Sequence, residues 1–368
     1  MPEAFIIDAV RTPIGKMGGD LAHIRSDALA SIPLAHLIAR NSVPANALNH
    51  VILGCASQIG EQGKNVARTA GILAGLPVNT TGSTVHSGSG SGLQAVHFAS
   101  MGVMSGIYNL VIAGGVESMS RISYGSDSQY QGAQIQPTPE QQWRFSDVPA
   151  HVSSALVATK FGLRQEEMLE WAEESHRRAT AASQQGLFSQ ERIPMCIDAH
   201  DGDQRFASDE CLKEVPSINA PQADGSAGIL IASQQAIDDL GLLPKVRIVA
   251  MQTSGVDPTM GYTGAIRATH LALEQAGLSI SDLDVIEIYE PFASVVLGCS
   301  SALGIPLENV NVHGGDLALG NPTGASGTRI LTTLVNVLEQ KAGRFGLAAM
   351  STEQGQGIGI IVDRNIYQ

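Results

Sequence analysis

The sequence predicts an α/β protein made of two similar halves, with a different kind of segment inserted between them. Three observations carry that expectation. Apolar strand-like runs alternate with helical patterns, the start and the end of the chain resemble one another, and 40 glycines accompany a composition that is 43% hydrophobic and only 15% charged. That is the profile of a densely packed chain with many tight turns. At 368 residues it also exceeds one core, since single cores stop growing at about 250 to 300 residues.

The first matched element is "NALNHVILGCAS" (46–57), mirrored by "ISDLDVIEIYEP" (280–291). Each has a polar turn followed by a β-branched apolar run, the mark of a buried strand. The second is "GSGSGLQAVHFASMGV" (88–103) against "TGASGTRILTTLVNVL" (323–338), a small-residue turn feeding a helix. The third is "LVIAGG" (110–115) against "GLAAMS" (346–351). Val51 pairs with Val285 and Ser91 with Ser326, at offsets that differ by one residue, which indicates a duplication. Alternating strands and helices predict mostly parallel sheets with helical cover.

The halves are expected at 1–118 and 241–368. Between them, 119–240 is rich in Gln, Ser and Asp, as in "SYGSDSQYQGAQIQPTPEQQ", and carries the helical pattern "EEMLEWAEESHRRATAASQQ". This reads as an inserted loop domain, and long insertions are often functional.

Composition excludes several roles. A net charge of −13 repels nucleic acid and anionic membranes alike. Cys55, Cys196, Cys211 and Cys299 form no C-x-x-C pair and have no His at ligand spacing, so neither a disulfide framework nor a zinc site is expected, and the setting is a reducing cytoplasm. "MPEAFIIDAVRTPIGK" lacks the pattern of a signal peptide, and no apolar run reaches membrane-spanning length.

The most unusual stretch is "TVHSGSGSGLQAV" (84–96). Glycines let a backbone approach a ligand, and free N–H groups at a helix start attract negative charge. The simpler reading is a tight strand-to-helix turn with Ser91 as N-cap. If the halves pack as pseudo-twofold mates, the turns at 89–92 and 321–327 face a common centre, joined by the tail turn "STEQGQG" (351–357). Three converging Gly-rich turns under an insertion have the geometry of a site.

These residues resemble the thiolase superfamily, in its acetyl-CoA acyltransferase branch, over essentially the full chain. The landmarks are "DAVRTPIGK", "ARTAGILAGLP", "GSGLQA", "AGGVESMS", "GVDPTMGYTG", "NVHGGDLALGNPTGASGTRIL" and "GQGIGI". The resemblance implies a five-layered α/β/α/β/α arrangement, homodimers or homotetramers, and Claisen chemistry on acyl-CoA thioesters with no covalently bound cofactor. The family uses a nucleophilic cysteine, a histidine of a G-H-P motif, a second cysteine and the Asn of N-E-A-F. At those positions this chain has Ser89, Asn321, Ser351 and Tyr289.

A serine hydroxyl ionises only beside a strong base, and Asn321 takes no proton near neutral pH. What survives by resemblance is binding and electrostatics, with backbone N–H groups around Gly90 and Gly355 as oxyanion donors. Glu290, His86, His313, Asp316 and Glu353 are candidate replacement acids or bases, although both histidines also suit a packed core and Glu290 a structural role. The coenzyme A loop is the shortened "INAPQADGSA" (218–227), Ala250 replaces a family Ser, and Arg247 and Lys245 are candidate phosphate partners that equally suit a solvated surface. The expectation is an acyltransferase-type protein acting on or binding an acyl-CoA, without cysteine-dependent thiolysis. Its alternatives are a silent acyl-CoA-binding homologue or partner subunit, a purely structural subunit, and a Tyr289-assisted retro-aldolase on a 3-hydroxyacyl-CoA.

Overall fold

The computed structural model describes residues 2–130, 132–144, 148–198 and 204–366. Phe5–Arg11 (β1), His50–Gly54 (β2), Thr81–Val85 (β3), Leu110–Ser118 (β4), Ala223–Ala232 (β5), Val246–Gly255 (β6), Val285–Ile288 (β7), Phe345–Ser351 (β8) and Gln356–Asp363 (β9) form one continuous path. Their order is β7-β8-β9-β6-β1-β5-β4-β2-β3, with Gly15–Lys16 added to β5. Because β1 and β6 share only the pairs Phe5↔Arg247 and Ile6↔Val246, the path divides there. On one side is β1-β5-β4-β2-β3 and on the other β6-β9-β8-β7, so β2 corresponds to β7 and β4 to β8, as the duplicated sequence predicts.

The expectation of mostly parallel sheets is corrected. Only β2–β3, β2–β4 and β7–β8 pair in parallel. The centre is antiparallel, because β8 and β9 are joined by a short turn and β5 returns between β1 and β4, connections that a crossover helix does not make.

Nine of the described helices run to seven residues or more: Ser26–Arg40 (α1), Val66–Leu73 (α2), Ser91–Met104 (α3), Ala150–Phe161 (α4), Gln165–Gln184 (α5), Gln234–Leu240 (α6), Gly264–Ala276 (α7), Ala293–Leu303 (α8) and Thr323–Lys341 (α9). Three apolar clusters separate the layers. The first lies between α1, α2 and one half-sheet. The second surrounds α3 and α9 between the two half-sheets. The third lies between the other half-sheet and α7 and α8. Strand alternation feeds neighbouring clusters: in β8, Leu347 and Ala349 face the third while Ala348 and Met350 face the second.

At the centre, α9 is buried on every face from Thr323 to Leu338, which explains its small, polar-tolerant first turns. A Cβ on Gly92 would lie 2.7 Å from Thr328 Oγ1 and 2.8 Å from Gly324 O, and one on Gly327 would lie 2.6 Å from Leu93 N. The bare sequence at 88–92 is thus partly the cost of crossing two helices backbone to backbone.

The boundary expected at 240 shifts. β5 and α6 fall inside 119–240, yet β5 is buried along its whole length in the first half-sheet. Its apolar run lies directly after a polar stretch, whose composition masks it. The inserted segment proper ends before Ala223 and retains α4 and α5, which pack on α8.

Candidate active site

The turn after β3 is built by its own small residues. Gly88 has φ +55, a conformation glycine adopts without steric cost. Gly90 N–H donates to Ser87 O at 3.0 Å, and Ser91 Oγ donates to Gly88 O at 2.6 Å while accepting from Ser87 N–H at 2.9 Å. Ser91 therefore staples the turn as the first helical residue. The N-cap position is Gly90, without a side-chain cap.

Ser89 stands at the apex, only 2% exposed. Its Oγ donates to Glu353 Oε2 at 2.8 Å, and Tyr124 Oη donates to the other carboxylate oxygen, Oε1. Glu353 comes from the turn between β8 and β9, so the duplicated halves meet on one carboxylate. Burial and the Glu353 charge push the Tyr124 phenol well above its ordinary value, which keeps it a donor. His86 Nδ1 accepts Gly88 N–H at 3.2 Å, so its proton sits on Nε2, 3.0 Å from Asp127 Oδ2. A cavity of about 250 Å³ opens here, lined by His86, Gly88, Tyr124, Asp127, Glu353 and Gln354.

Beside this group, Asn321 Oδ1 accepts from Tyr289 Oη at 3.1 Å and from Ser326 Oγ at 2.8 Å. With the oxygen occupied by two donors, the Asn321 amide nitrogen is left to donate. Tyr289 is 1% exposed. Its phenol is pushed up chiefly by burial and further by Tyr262, Asp316 and Glu353.

Other candidates are placed elsewhere. Ser351 is fully buried, its Oγ accepting from Ala265 N–H at 2.8 Å at the start of α7. The N–H groups of Gly90 and Gly355 are spent on Ser87 O and Thr352 O, so neither is a free oxyanion donor. Among the described residues the Ser89 N–H has no such partner. Glu290 accepts from Trp171 Nε1, Ser175 Oγ and Asn311 Nδ2 at 3.0, 2.6 and 2.9 Å. It pins α5 to the core. Asp316 is tied to Arg329 at 2.6 Å, with both side chains buried. His313 meets Phe188 edge-on, and burial lowers its pKa to about 4. Only Glu353 of the candidate acids touches Ser89, with His86 at the cavity wall.

The coenzyme A candidates lie on β6 or just before it. Ala250 is packed in the cluster beneath α7. Arg247, the second residue of β6, is held by Glu3 at 2.6 Å and Asp363 at 3.5 Å, and Lys245 by Glu339 at 2.8 Å. The tail turn lies at the other end of that strand, where Gly255 pairs with Gln356. Eight residues of extended chain separate Arg247 from Gly255, roughly 26 Å at about 3.3 Å per residue. Cys55 lies 4.0 Å from Glu117 Oε1, and burial with that carboxylate pushes its thiol well up.

Sequence reading missed Tyr124 and Asp127, which lie in the inserted segment at no fixed spacing from the turn they serve. It also missed Glu117. That buried carboxylate accepts from Ala56 N–H, Ser57 N–H, Gln62 Nε2 and, across the interface, Gly324 N–H at the start of α9. Among the described residues no group of three His, Cys, Asp or Glu is placed to hold a metal ion.

Duplicated half-sheets around two buried helices, with a Gly-Ser turn at the start of one, define an acyltransferase scaffold of the thiolase type. The chain belongs to the thiolase family: residues 4–222 match the model of the thiolase N-terminal domain and 242–364 that of the C-terminal domain. It is 38% identical to the 3-oxoadipyl-CoA/3-oxo-5,6-dehydrosuberyl-CoA thiolase of Escherichia coli, covering 99% of this chain and all of that one. It is 37% identical to a beta-ketoadipyl-CoA thiolase of Acinetobacter baylyi over the same shares. The acetyl-CoA acetyltransferase structure of Bacillus anthracis superposes with a TM-score of 0.89 at 29% identity, covering 99% of both chains.

These likenesses overturn the expectation of a protein without thiolysis, together with its silent-binder and retro-aldolase alternatives. Near-full-length relatives at this identity bear the name thiolase. Among the substituted positions, Ser89 has a carboxylate on its hydroxyl. Of the five candidate acids and bases, Glu353 is the one that reaches the Ser89 hydroxyl.

Proposed function

We propose that the chain is a thiolase-type acyltransferase on a 3-oxoacyl-CoA, with Ser89 carrying the acyl group and Glu353 as its base. The observation that carries this reading is the 2.8 Å contact from Ser89 Oγ to Glu353 Oε2, a nucleophile within hydrogen-bond reach of a base that Tyr124 orients in turn. Glu353 takes the hydroxyl proton as Oγ attacks the C3 carbonyl, and the developing oxyanion meets the Asn321 amide and the Ser89 N–H. The C2–C3 bond breaks, and its electron pair leaves on C2 as an acetyl-CoA enolate, which Glu353 protonates. The thiol of a second coenzyme A then attacks the Ser89 ester, passing its proton through Glu353 back to Oγ.

The relatives' names make a dicarboxylic 3-oxoacyl chain the first substrate to try. A homodimer or homotetramer fits the edge position of β3 and the exposed Phe98 and Met101 on the neighbouring α3. Free thiols at all four cysteines suit a reducing cytoplasm, and no described helix is long and apolar enough to cross a membrane. The test is thiolysis of 3-oxoadipyl-CoA and of acetoacetyl-CoA with free coenzyme A, followed by loss of the 3-oxoacyl chromophore. Turnover that Ser89→Ala abolishes supports the reading, and absence of turnover with both substrates refutes it.

A further inference from the structure

The cavity of about 250 Å³ beside Ser89 bears on which acyl chain the site accepts. His86 and Gly88 line it from the turn after β3, Tyr124 and Asp127 from the inserted segment, and Glu353 and Gln354 from the turn between β8 and β9. Asn321 does not line it. With C3 of the substrate held at Ser89 Oγ and its oxygen at the Asn321 amide, the chain from C4 onward has this cavity beside it. The volume lies below the range of most small-molecule sites, so it suits a short chain and not the coenzyme A arm.

Among the described residues the wall carries two carboxylates and no lysine or arginine. Glu353 has both oxygens engaged, by Ser89 Oγ and Tyr124 Oη. Asp127 Oδ2 receives His86 Nε2 at 3.0 Å, whereas its Oδ1 has no donor among the described residues. His86 does not offset the charge, because its Nδ1 accepts Gly88 N–H and the ring is neutral in that arrangement. Ser128 turns its hydroxyl to Gly125 O at 2.6 Å. Arg121, three residues before Tyr124, is held by both oxygens of Glu61. A chain end with a negative charge therefore meets like charge and no cation, while one that donates a hydrogen bond finds a free acceptor.

We infer that Asp127 sets the chain specificity of the site, admitting an uncharged acyl chain end that donates a hydrogen bond, a carboxamide or a hydroxyl, and disfavouring a terminal carboxylate. The inference rests on Ser89 as the acyl carrier, which is what brings the chain to this wall. 3-Oxoadipyl-CoA is then turned over with a raised KM and a kcat little changed, since the repulsion acts alike in the ground and transition states. The test compares 3-oxoadipyl-CoA with its terminal amide. The two are equal in length and share the coenzyme A moiety, so the ratio of their dissociation constants isolates the chain end. Titration calorimetry on full-length Ser89→Ala, which forms no ester at residue 89, should show the amide binding about tenfold tighter or more near neutral pH. Adding Asp127→Asn, whose side-chain oxygen still accepts from His86, should shrink that ratio by about threefold or more with the thermal melt unchanged. Equal or tighter binding of the carboxylate, the same ratio in Asp127→Asn, or no binding of either thioester overturns the inference. If Ser89→Ala binds the pair with the expected preference while the native protein turns neither over, acyl transfer through Ser89 fails and the preference set by Asp127 is upheld.

Discussion

Replacing Glu353 by Gln is the sharpest perturbation of the proposed chemistry. The amide is nearly isosteric, and its oxygen still accepts one hydrogen bond. It has no basic electron pair to take the Ser89 proton. In the native site the carboxylate receives Ser89 Oγ on one oxygen and Tyr124 Oη on the other. In the variant one of those hydroxyls faces an NH2 group and must accept from it instead of donating. A positioned general base contributes about 10²- to 10⁴-fold, which is about 3 to 5 kcal/mol of barrier. Steady-state thiolysis should show kcat reduced in that range with KM little changed, because Glu353 acts on the reacting proton rather than on substrate binding. A thermal melt on the same preparation separates misfolding from lost chemistry. Turnover within about threefold of the native protein would remove Glu353 as the base, whatever the fate of Ser89.

Four further outcomes follow from the same structure. Ser89→Cys should match or exceed native turnover, because a thiol ionises more readily beside the same carboxylate; a dead cysteine variant of native stability would show that the pair is not positioned to react. Gly327→Ala should lose about 1 to 3 kcal/mol in urea unfolding, since its Cβ would lie 2.6 Å from Leu93 N and force α3 and α9 apart; the control Gly255→Ala, which meets open space, should stay within about 0.5 kcal/mol. Burial lowers the pKa of His97 to about 4, below the unfolded value of about 6.5. The unfolded chain therefore binds the proton first, and as pH falls from about 6.5 towards 4 this site alone should remove up to about 3 kcal/mol of stability, a slope that His97→Gln should flatten.

Much of this was legible in the sequence, for physical reasons. The duplication showed because the same buried strand and the same close helix crossing recur in each half, and both constrain residue size at each step. Tyr289 and Asn321 were legible as substituted positions, and the structure joins them by a hydrogen bond. Glu353 was named as one acid among five. Only the fold shows that the β8–β9 turn brings it to Ser89 while Glu290 and Asp316 are consumed by Trp171, Ser175 and Arg329. Tyr124 and Asp127 were hidden because contacts made across an insertion leave no periodicity. Arg247 and Lys245 are held by Glu3, Asp363 and Glu339, pairings across the chain that spacing along it does not reveal.

Intact-mass analysis after rapid mixing with 3-oxoadipyl-CoA, in the absence of free coenzyme A, tests the covalent step most directly. The expected result is a protein heavier by the acyl group that remains after acetyl-CoA departs, with the modification mapped to the peptide containing Ser89 and absent from Ser89→Ala. Addition of coenzyme A should discharge it. Release of acetyl-CoA with no adduct at Ser89, or an adduct that persists in Ser89→Ala, would contradict acyl transfer through this hydroxyl.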